Sequence, residues 1–331
     1  MKKIIIAGTI AALLMLGIAA IVFRTRPLED RNESMSACDR HYVLITNGEN
    51  SEFWDRVYQS AKAEGLAHNV YVEMFGSGLS MTYSRDELLK IARQASVDGI
   101  IVEADEDATT GKLIDEIVNE GIPVVTAMRD CYSSLRQSFV GVNHYDTGVL
   151  YGQKIVSLLD GKQEARVLVI AEGKAGDVHE NLVLLGIRET LAKEMPGCHV
   201  QVDSDSISRT SSFAEEEYYN TLFMGEDLPD ILICQDAVGT ICAYQSAVDH
   251  NQVGSVDIIG FYDSDTILTE VQKGVLTATL SIDAEQAGRA CVDALEDYYA
   301  YGYTNEYNAL SMALIGADRA EELLAEEVTE E

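Results

Sequence analysis

The stretch from Val97 to Arg129, VDGIIVEADEDATTGKLIDEIVNEGIPVVTAMR, constrains the fold more than any other part of the chain. It opens with Gly99-Ile100-Ile101-Val102, an apolar run too short for a helix and rich in β-branched residues, which reads as a buried strand. The run ends in a polar turn, Glu103-Ala104-Asp105-Glu106-Asp107. Leu113, Ile114, Ile117 and Val118 then recur at helical spacing, with Thr109 or Thr110 as the expected cap and Gly121 as the stop. A second apolar run, Ile122 to Ala127, leads into Met128-Arg129-Asp130. Two strands joined by one amphipathic helix form a right-handed βαβ crossover, and hence a parallel sheet covered on both faces. Ligands of such sheets bind just beyond the carboxyl ends of the strands. Both ends here are charged, with Glu103 and Asp105 on one and Arg129 and Asp130 on the other, which points to a polar ligand.

A chain of 331 residues accommodates two domains of ordinary size. An apolar share of 47% with only 4 Pro indicates packed globular structure and argues against disorder. Lys and Arg number 24 against 55 Asp and Glu, a formal net charge of -31, so phosphate backbones are repelled and nucleic acid is excluded as a partner.

Residues 4 to 23 form one apolar run behind Lys2 and Lys3. Twenty helical residues span ~30 Å, the hydrocarbon thickness of a bilayer. Two readings compete, an uncleaved signal anchor and a cleavable signal peptide with Gly17-Ile18-Ala19 as its small-x-small site; the anchor is favoured because apolar residues continue past that site. Arg24, Arg26 and Arg31 follow the run, so basic flanks alone leave its orientation open. No cysteine follows the run directly, as a lipid-acceptor site requires; Cys38 comes fifteen residues past Phe23. The six cysteines, Cys38, Cys131, Cys198, Cys234, Cys242 and Cys291, fall in scattered settings and read as free thiols. Cys38 and Cys131 belong to opposite ends of the sheet and should not bridge.

Residues 24 to 40 are polar and read as a tether. His41 to Thr46 is the first strand, followed by the loop Asn47 to Trp54, a helix to about Ala67, and a strand from Val70 to Phe75. Ser84-Arg85-Asp86-Glu87 is a capping box, opening a helix whose Leu88, Leu89, Ile91, Ala92 and Ala95 should face inward. Ser138 to Val142 is a further strand. The pattern then restarts: a helix about Asp146 to Leu159 precedes Arg166 to Ile170, which mirrors the first strand. Strands are expected at Cys198 to Val202, Asp230 to Gln235, Val256 to Phe261, Leu276 to Ser281 and Leu310 to Ile315. Helices are expected at Val183 to Lys193, Phe213 to Phe223 and Ala284 to Tyr301, and a terminal helix within the acidic stretch from Asp318.

Several local signatures fall in one order: the loop ending in Phe53-Trp54, VDGIIVEADEDA, EGIPVVTAMRD, VGVNHYDTG, a strand followed by Gln235-Asp236, and IIGFYDS before KGVLTATLSID. This series resembles the type I periplasmic sugar-binding proteins, the ribose-binding-protein-like group that also supplies the effector domain of lac-repressor-like regulators. The resemblance runs from His41 to Ile315 and implies an α/β fold of two similar lobes. Each lobe is a parallel sheet with helices on both faces, and one N-terminal membrane helix precedes them. It divides the chain into residues 1–23 (anchor or signal), 24–40 (tether), 41–142 with about 282–309 (first lobe), 143–281 with about 310–317 (second lobe) and 318–331 (acidic tail). A membrane segment stands where a repressor carries its helix-turn-helix, which sets the regulator reading aside.

In that family the ligand lies between the lobes, sandwiched by aromatic rings and held by planar polar side chains. Carried over by position, the resemblance implies Phe53 and Trp54 as stacking rings with Asn47 and Ser51 nearby, and Asp105 and Arg129 at the first lobe's strand ends. It implies Asn181, Gln235, Tyr262 and Asp263 in the second lobe. The pocket departs from that of ribose binders. Met128 replaces an aspartate, Asn181 an arginine, Gln235-Asp236 the usual Asn-Asp, and Ile282 a glutamine. Each assignment has a structural alternative: Phe53 and Trp54 as the core face of a helix, Asp105 as a helix cap, Arg129 as an ion-pair partner across the sheet end. His144 and His179 read as solvent-facing, with no second ligand at zinc-like spacing.

Enzyme signatures are missing: no G-x-S-x-G, Walker loop, H-E-x-x-H or paired-cysteine metal motif occurs, and Gly76-Ser77-Gly78 lacks the third glycine of a dinucleotide fingerprint. The expectation is a non-enzymatic receptor outside the cytoplasmic membrane, using no cofactor, that closes on a sugar or sugar-like polyol and delivers it to an ABC permease. The alternative is a membrane-tethered receptor that presents its liganded form to a histidine kinase or chemoreceptor.

Overall fold

A computed structural model describes residues 38–46, 52–79, 81–159, 161–171, 178–207, 213–225 and 227–330. The apolar N-terminal run, most of the tether, and Asn47 and Ser51 lie outside these residues. No helix among the described residues is long and apolar enough to cross a membrane.

The first array of elements is β1 (Arg40–Ile45), α1 (Glu52–Ala67), β2 (Val70–Met74), α2 (Arg85–Ala95), β3 (Gly99–Val102), α3 (Ala108–Asn119), β4 (Val124–Ala127) and β5 (Ser138–Gly141). The second is α4 (His144–Leu158), β6 (Glu164–Ala171), α5 (Val178–Glu194), β7 (His199–Ser206), α6 (Ala214–Met224), β8 (Ile231–Cys234), α7 (Ala237–Asp249), β9 (Asp257–Phe261), α8 (Asp265–Gln272) and β10 (Ala278–Ile282). The chain closes with α9 (Ala284–Tyr301), β11 (Tyr307–Ala309), β12 (Met312–Ile315) and α10 (Ala317–Glu330).

The strands form two six-stranded sheets, ordered β11-β5-β4-β3-β1-β2 and β12-β10-β9-β8-β6-β7. Each order reverses once, at the β1/β3 pair and at the β6/β8 pair, so right-handed crossovers place helices on opposite faces of each sheet. The chain divides into two compact units, one running to Phe139 with Ala287–Glu306, the other comprising Val140–Gln286 and Tyr307–Glu331. One departure from all-parallel pairing is β12, which runs antiparallel to β10 with Ile282 opposite Met312.

Apolar stripes explain which faces are covered. In the first unit, Leu88, Leu89 and Ala92 of α2 and Leu113, Ile114 and Ile117 of α3 pack with Val43, Ile45, Ile100 and Val102. The α2 capping box forms as read, Ser84 Oγ accepting from the Glu87 amide and Glu87 accepting from the Ser84 amide at 2.8 Å. Ile91 and Ala95, expected inside, are exposed. At about 100° per residue the stripe centres near Ala92, which leaves Ile91 at its margin, while Ala95 ends the helix. The cap of α3 is Asp107 and neither threonine: its Oδ1 accepts from the amides of Thr109 and Thr110, both at 2.9 Å. A carboxylate there also faces the positive end of the helix dipole, an advantage a hydroxyl lacks.

In the second unit, Tyr151 and Ile155 of α4 and Val183, Ile187 and Leu191 of α5 pack over Val167, Val169, Ile231, Ile233, Ile259 and Leu280. Two glycines allow these helices to touch. A Cβ on Gly148 would lie 2.1 Å from the Val183 carbonyl oxygen, and one on Gly186 2.3 Å from that of Tyr145. The acidic C-terminal segment is helical as α10, and its Ala320 is fully buried.

Candidate functional site

At the carboxyl edge of the first sheet, the charged side chains that follow β3 and β4 are held in separate hydrogen-bonded groups. Where the strand order reverses, Thr46 Oγ1 after β1 donates to the buried Glu103 carboxylate after β3 at 2.9 Å. Two residues on, Asp105 receives two guanidinium groups: Arg85 Nη1 donates to Oδ2 and Arg129 Nε to Oδ1, each at 2.7 Å. Burial raises the Asp105 carboxyl's pKa, but the hydrogen bonds and charges of Arg85 and Arg129 outweigh it and hold the group below the usual carboxylate range. Arg85 is itself fixed, its Nη2 donating to Thr110 Oγ1 at 2.9 Å. Arg129 follows Met128, whose φ of 62° lies in the left-handed region. That turn closes the Arg129 amide onto the Ala127 carbonyl at 2.7 Å and carries the chain sharply off β4.

Asp130, the fourth charge noted at these ends, has a different task. It is buried, accepts from Arg136 Nε and Nη2 at 2.6 Å each, and accepts from Thr126 Oγ1 at 2.6 Å. It locks the turn after β4 and is committed to structure. Phe53 and Trp54 open α1 as a T-shaped pair with ring centroids 5.5 Å apart. Both are buried, Trp54 to 6% exposure, where a ring at an open mouth would be partly hydrated.

The second sheet's edge holds Gln235, Asp236, Tyr262 and Asp263. Gln235 follows β8 where the strand order reverses, its amide N–H donating to the Ile170 carbonyl at 3.2 Å. Its side-chain Nε2 is buried and meets no acceptor among the described residues. Asp236 caps α7, accepting from the Gly239 amide at 2.7 Å. Tyr262 is buried at a φ of 77°, pinned by its N–H to the Leu280 carbonyl at 2.8 Å and by Thr279 Oγ1 donating to its carbonyl at 2.6 Å. Asp263 accepts from Ser281 Oγ at 2.6 Å. Asn181 lies in the first turn of α5 and is exposed. Ile282 is buried in β10.

The structure thus joins Asp105 to Arg129 within one unit, and aligns Gln235, Tyr262 and Asp263 along one edge of the other. Sequence reading missed Arg85, twenty residues from the carboxylate it clamps; its one signal is the position directly after the Ser84 cap. His144, expected in solvent, is half-buried, and the side chain of His179 lies outside the description. All six cysteines are free, with Cys131, Cys234 and Cys291 buried. Burial pushes the Cys234 and Cys291 thiols well above their ordinary range, which keeps them protonated and unreactive.

Two six-stranded, doubly covered sheets with polar side chains at their carboxyl edges define a two-unit binding protein. The periplasmic binding protein domain model matches residues 42–302, and the chain belongs to that family. A protein of Rhizobium meliloti whose name assigns it rhizopine binding is 29% identical over 209 residues, 60% of this chain. The matched region spans 65% of that relative's length, just under two thirds. The glucose-galactose binding protein GanP of Geobacillus stearothermophilus superposes with a TM-score of 0.73 at 24% identity, covering 84% of this chain and 98% of its own. A XylFII–LytSN complex contains a chain that superposes with a TM-score of 0.71 at 22% identity, covering 85% of this chain and 98% of that one.

Proposed function

We propose that this protein is an extracytoplasmic receptor that closes its two lobes on a sugar or sugar-like polyol and delivers it to an ABC importer. Family membership implies a place outside the cytoplasmic membrane. The relatives named for rhizopine and for glucose-galactose binding support a small polyhydroxylated ligand.

The observation that carries the reading is Gln235. A buried amide N–H without an acceptor costs about 1–3 kcal/mol, and this one sits where a parallel sheet reverses its order, the place where ligands of such sheets bind. A ligand hydroxyl oxygen removes that cost. Arg129 and Asp105 supply the complementary chemistry: a guanidinium donates to hydroxyl oxygens and a carboxylate accepts from hydroxyl protons. Tyr262 and Asp263 extend the polar edge beside Gln235, with Asn181 on the same unit, while Phe53 and Trp54 provide ring faces and Asn47 and Ser51 belong to the adjoining loop.

The test is calorimetry of the full chain against monosaccharides and polyols, repeated with Gln235→Leu. The reading requires a saturable ligand whose affinity falls at least tenfold in the variant. Unchanged affinity with a more stable variant would mean that Gln235 is a strained core group.

A second reading has its own support. A chain of this fold is known in a complex with LytSN, and the apolar N-terminal run lacks a directly following lipid-acceptor cysteine. On this reading the protein is a tethered receptor that presents its liganded form to a histidine kinase or chemoreceptor. Neighbouring genes discriminate: permease and ATPase genes accompany delivery, a kinase and response regulator accompany sensing.

A further inference from the structure

On the first unit, α1 and α9 approach closely. A Cβ on Gly288 of α9 would lie 2.3 Å from the Val57 carbonyl oxygen of α1. Beside this contact stands a cluster of side chains that the ligand-binding reading does not use. Glu64 lies in the last turn of α1 and His68 four residues on, one residue past the helix; Asp293 and Glu296 lie one turn apart on α9. His68 Nε2 is 3.2 Å from Glu64 Oε1 and 3.9 Å from Asp293 Oδ1. The three ligand atoms all lie within 4.8 Å of one another.

The other imidazole nitrogen faces a further carboxylate. His68 Nδ1 is 3.9 Å from Glu296 Oε2, and Glu296 is nearly buried and immobilised. It accepts from Tyr42 Oη at 2.5 Å and from Arg40 Nη2 at 2.6 Å. At 3.9 Å the Glu296 carboxylate lies beyond hydrogen-bond distance of Nδ1 but on the side where a metal-bound histidine has the acidic residue that orients its distal N–H.

We propose that Glu64, His68 and Asp293 bind a divalent transition-metal cation, zinc by chemical class, with Glu296 as the residue that orients His68. Nitrogen and carboxylate ligands at about 2.1 Å in tetrahedral geometry are about 3.4 Å apart. The Glu64–His68 pair already meets that spacing, and His68–Asp293 exceeds it by half an ångström. Asp293 is half exposed, and rotation of its carboxylate would bring it to this spacing. Three protein ligands leave a fourth position to water on this open surface. The bound ion would link the start of the chain to the segment that returns to the first unit through α9, tying together residues far apart in sequence.

The probe is Zn2+ alone, titrated by calorimetry into the metal-stripped full chain, alongside His68→Ala, Asp293→Asn and Glu296→Gln. The structure calls for one equivalent of zinc and at least tenfold weaker binding in His68→Ala and Asp293→Asn. Loss of the orienting carboxylate in Glu296→Gln should weaken binding by roughly 10- to 100-fold. Asp293→Asn is a near-isosteric change at a half-exposed position, so it should fold with little change in Tm, and its loss of metal would report ligation directly. Cobalt provides the second readout: nitrogen and oxygen ligation gives weak visible bands without thiolate charge transfer. No saturable zinc binding, equal binding by His68→Ala, or a thiolate-to-cobalt band assigning the ion to a cysteine would each overturn the proposal. Sugar titrations of the same variants keep this outcome separate from the receptor reading, because none of these residues lies at either sheet edge.

Discussion

Replacing Arg129 by alanine separates a ligand-binding role from an ion-pair role, because the structure fixes what is left behind. Arg129 and Asp105 are linked at 2.7 Å, but Asp105 keeps Arg85 at 2.7 Å after the substitution. Among the described residues Asp105 is therefore not orphaned, and both partners retain contact with solvent. Loss of such a partly exposed pair typically costs about 0–1 kcal/mol of stability. A charged hydrogen bond to a ligand hydroxyl is worth about 1.5–3 kcal/mol, or roughly 10- to 150-fold in Kd. The two effects therefore differ in size and in assay. Calorimetry with the cognate sugar should show the affinity loss, while denaturant unfolding without ligand should show little change. Intact affinity together with a stability loss of several kcal/mol would refute the argument and assign Arg129 to the fold.

Trp54 is the single tryptophan, and ligand should change its emission saturably with the calorimetric Kd. Because it is buried against Phe53, Trp54→Ala should also cost about 3–5 kcal/mol of stability, with Trp54→Phe costing less; emission indifferent to a proven ligand would make it a core residue only. Gly148→Ala drives a methyl into the Val183 carbonyl across the α4–α5 contact, and should lower stability by at least 1–3 kcal/mol, on the order of an overpacked core, measured by urea midpoint. Asp105 is held below its ordinary value, so its ion pairs contribute stability above the unfolded pKa of ~3.9 that is lost as pH falls through the lower folded value. Acid denaturation of Asp105→Asn should accordingly be shallower than that of the parent below about pH 4, and parallel curves would deny Asp105 that role.

Much of this architecture was legible from short-range pattern. Runs such as Ile100 to Val102 and Val124 to Ala127 are strands because each is buried on both faces, and the one polar residue within them, Thr126, is satisfied by hydrogen bonds. The Ser84–Glu87 box marked a helix start because both its hydrogen bonds are local. The misreadings share a cause: three-dimensional context outranks the local signal. Asp107 outcompetes the adjacent threonines as a cap, and Ile91 lies at the edge of a stripe whose width depends on the sheet beneath it. The short α8 and β11 went unread; β11 is three residues long, and neither face of it is fully buried.

At the edges, the strand-end charges announced a polar site, but their partners were hidden. That Asp105 would be shared by Arg85 and Arg129 while Asp130 is consumed by Arg136 follows from loop geometry, since the two aspartates look alike in the sequence and so do the three arginines. That the side-chain amide of Gln235 has no acceptor among the described residues is likewise a property of packing and leaves no trace in composition or spacing. The Glu64–His68 pair was visible at helical i,i+4 spacing, but its third member is more than two hundred residues away.

The receptor reading is tested most directly by a thermal-shift screen of the full chain against monosaccharides and polyols. A cognate ligand at 100 times its Kd stabilises the folded state by about 2.7 kcal/mol. For units of this size that raises Tm by about 5–10 °C. The account predicts that at least one such compound gives a shift of this size and that Gln235→Leu abolishes or sharply reduces it. A screen in which no sugar or polyol moves Tm, in a protein that unfolds cooperatively, would contradict it.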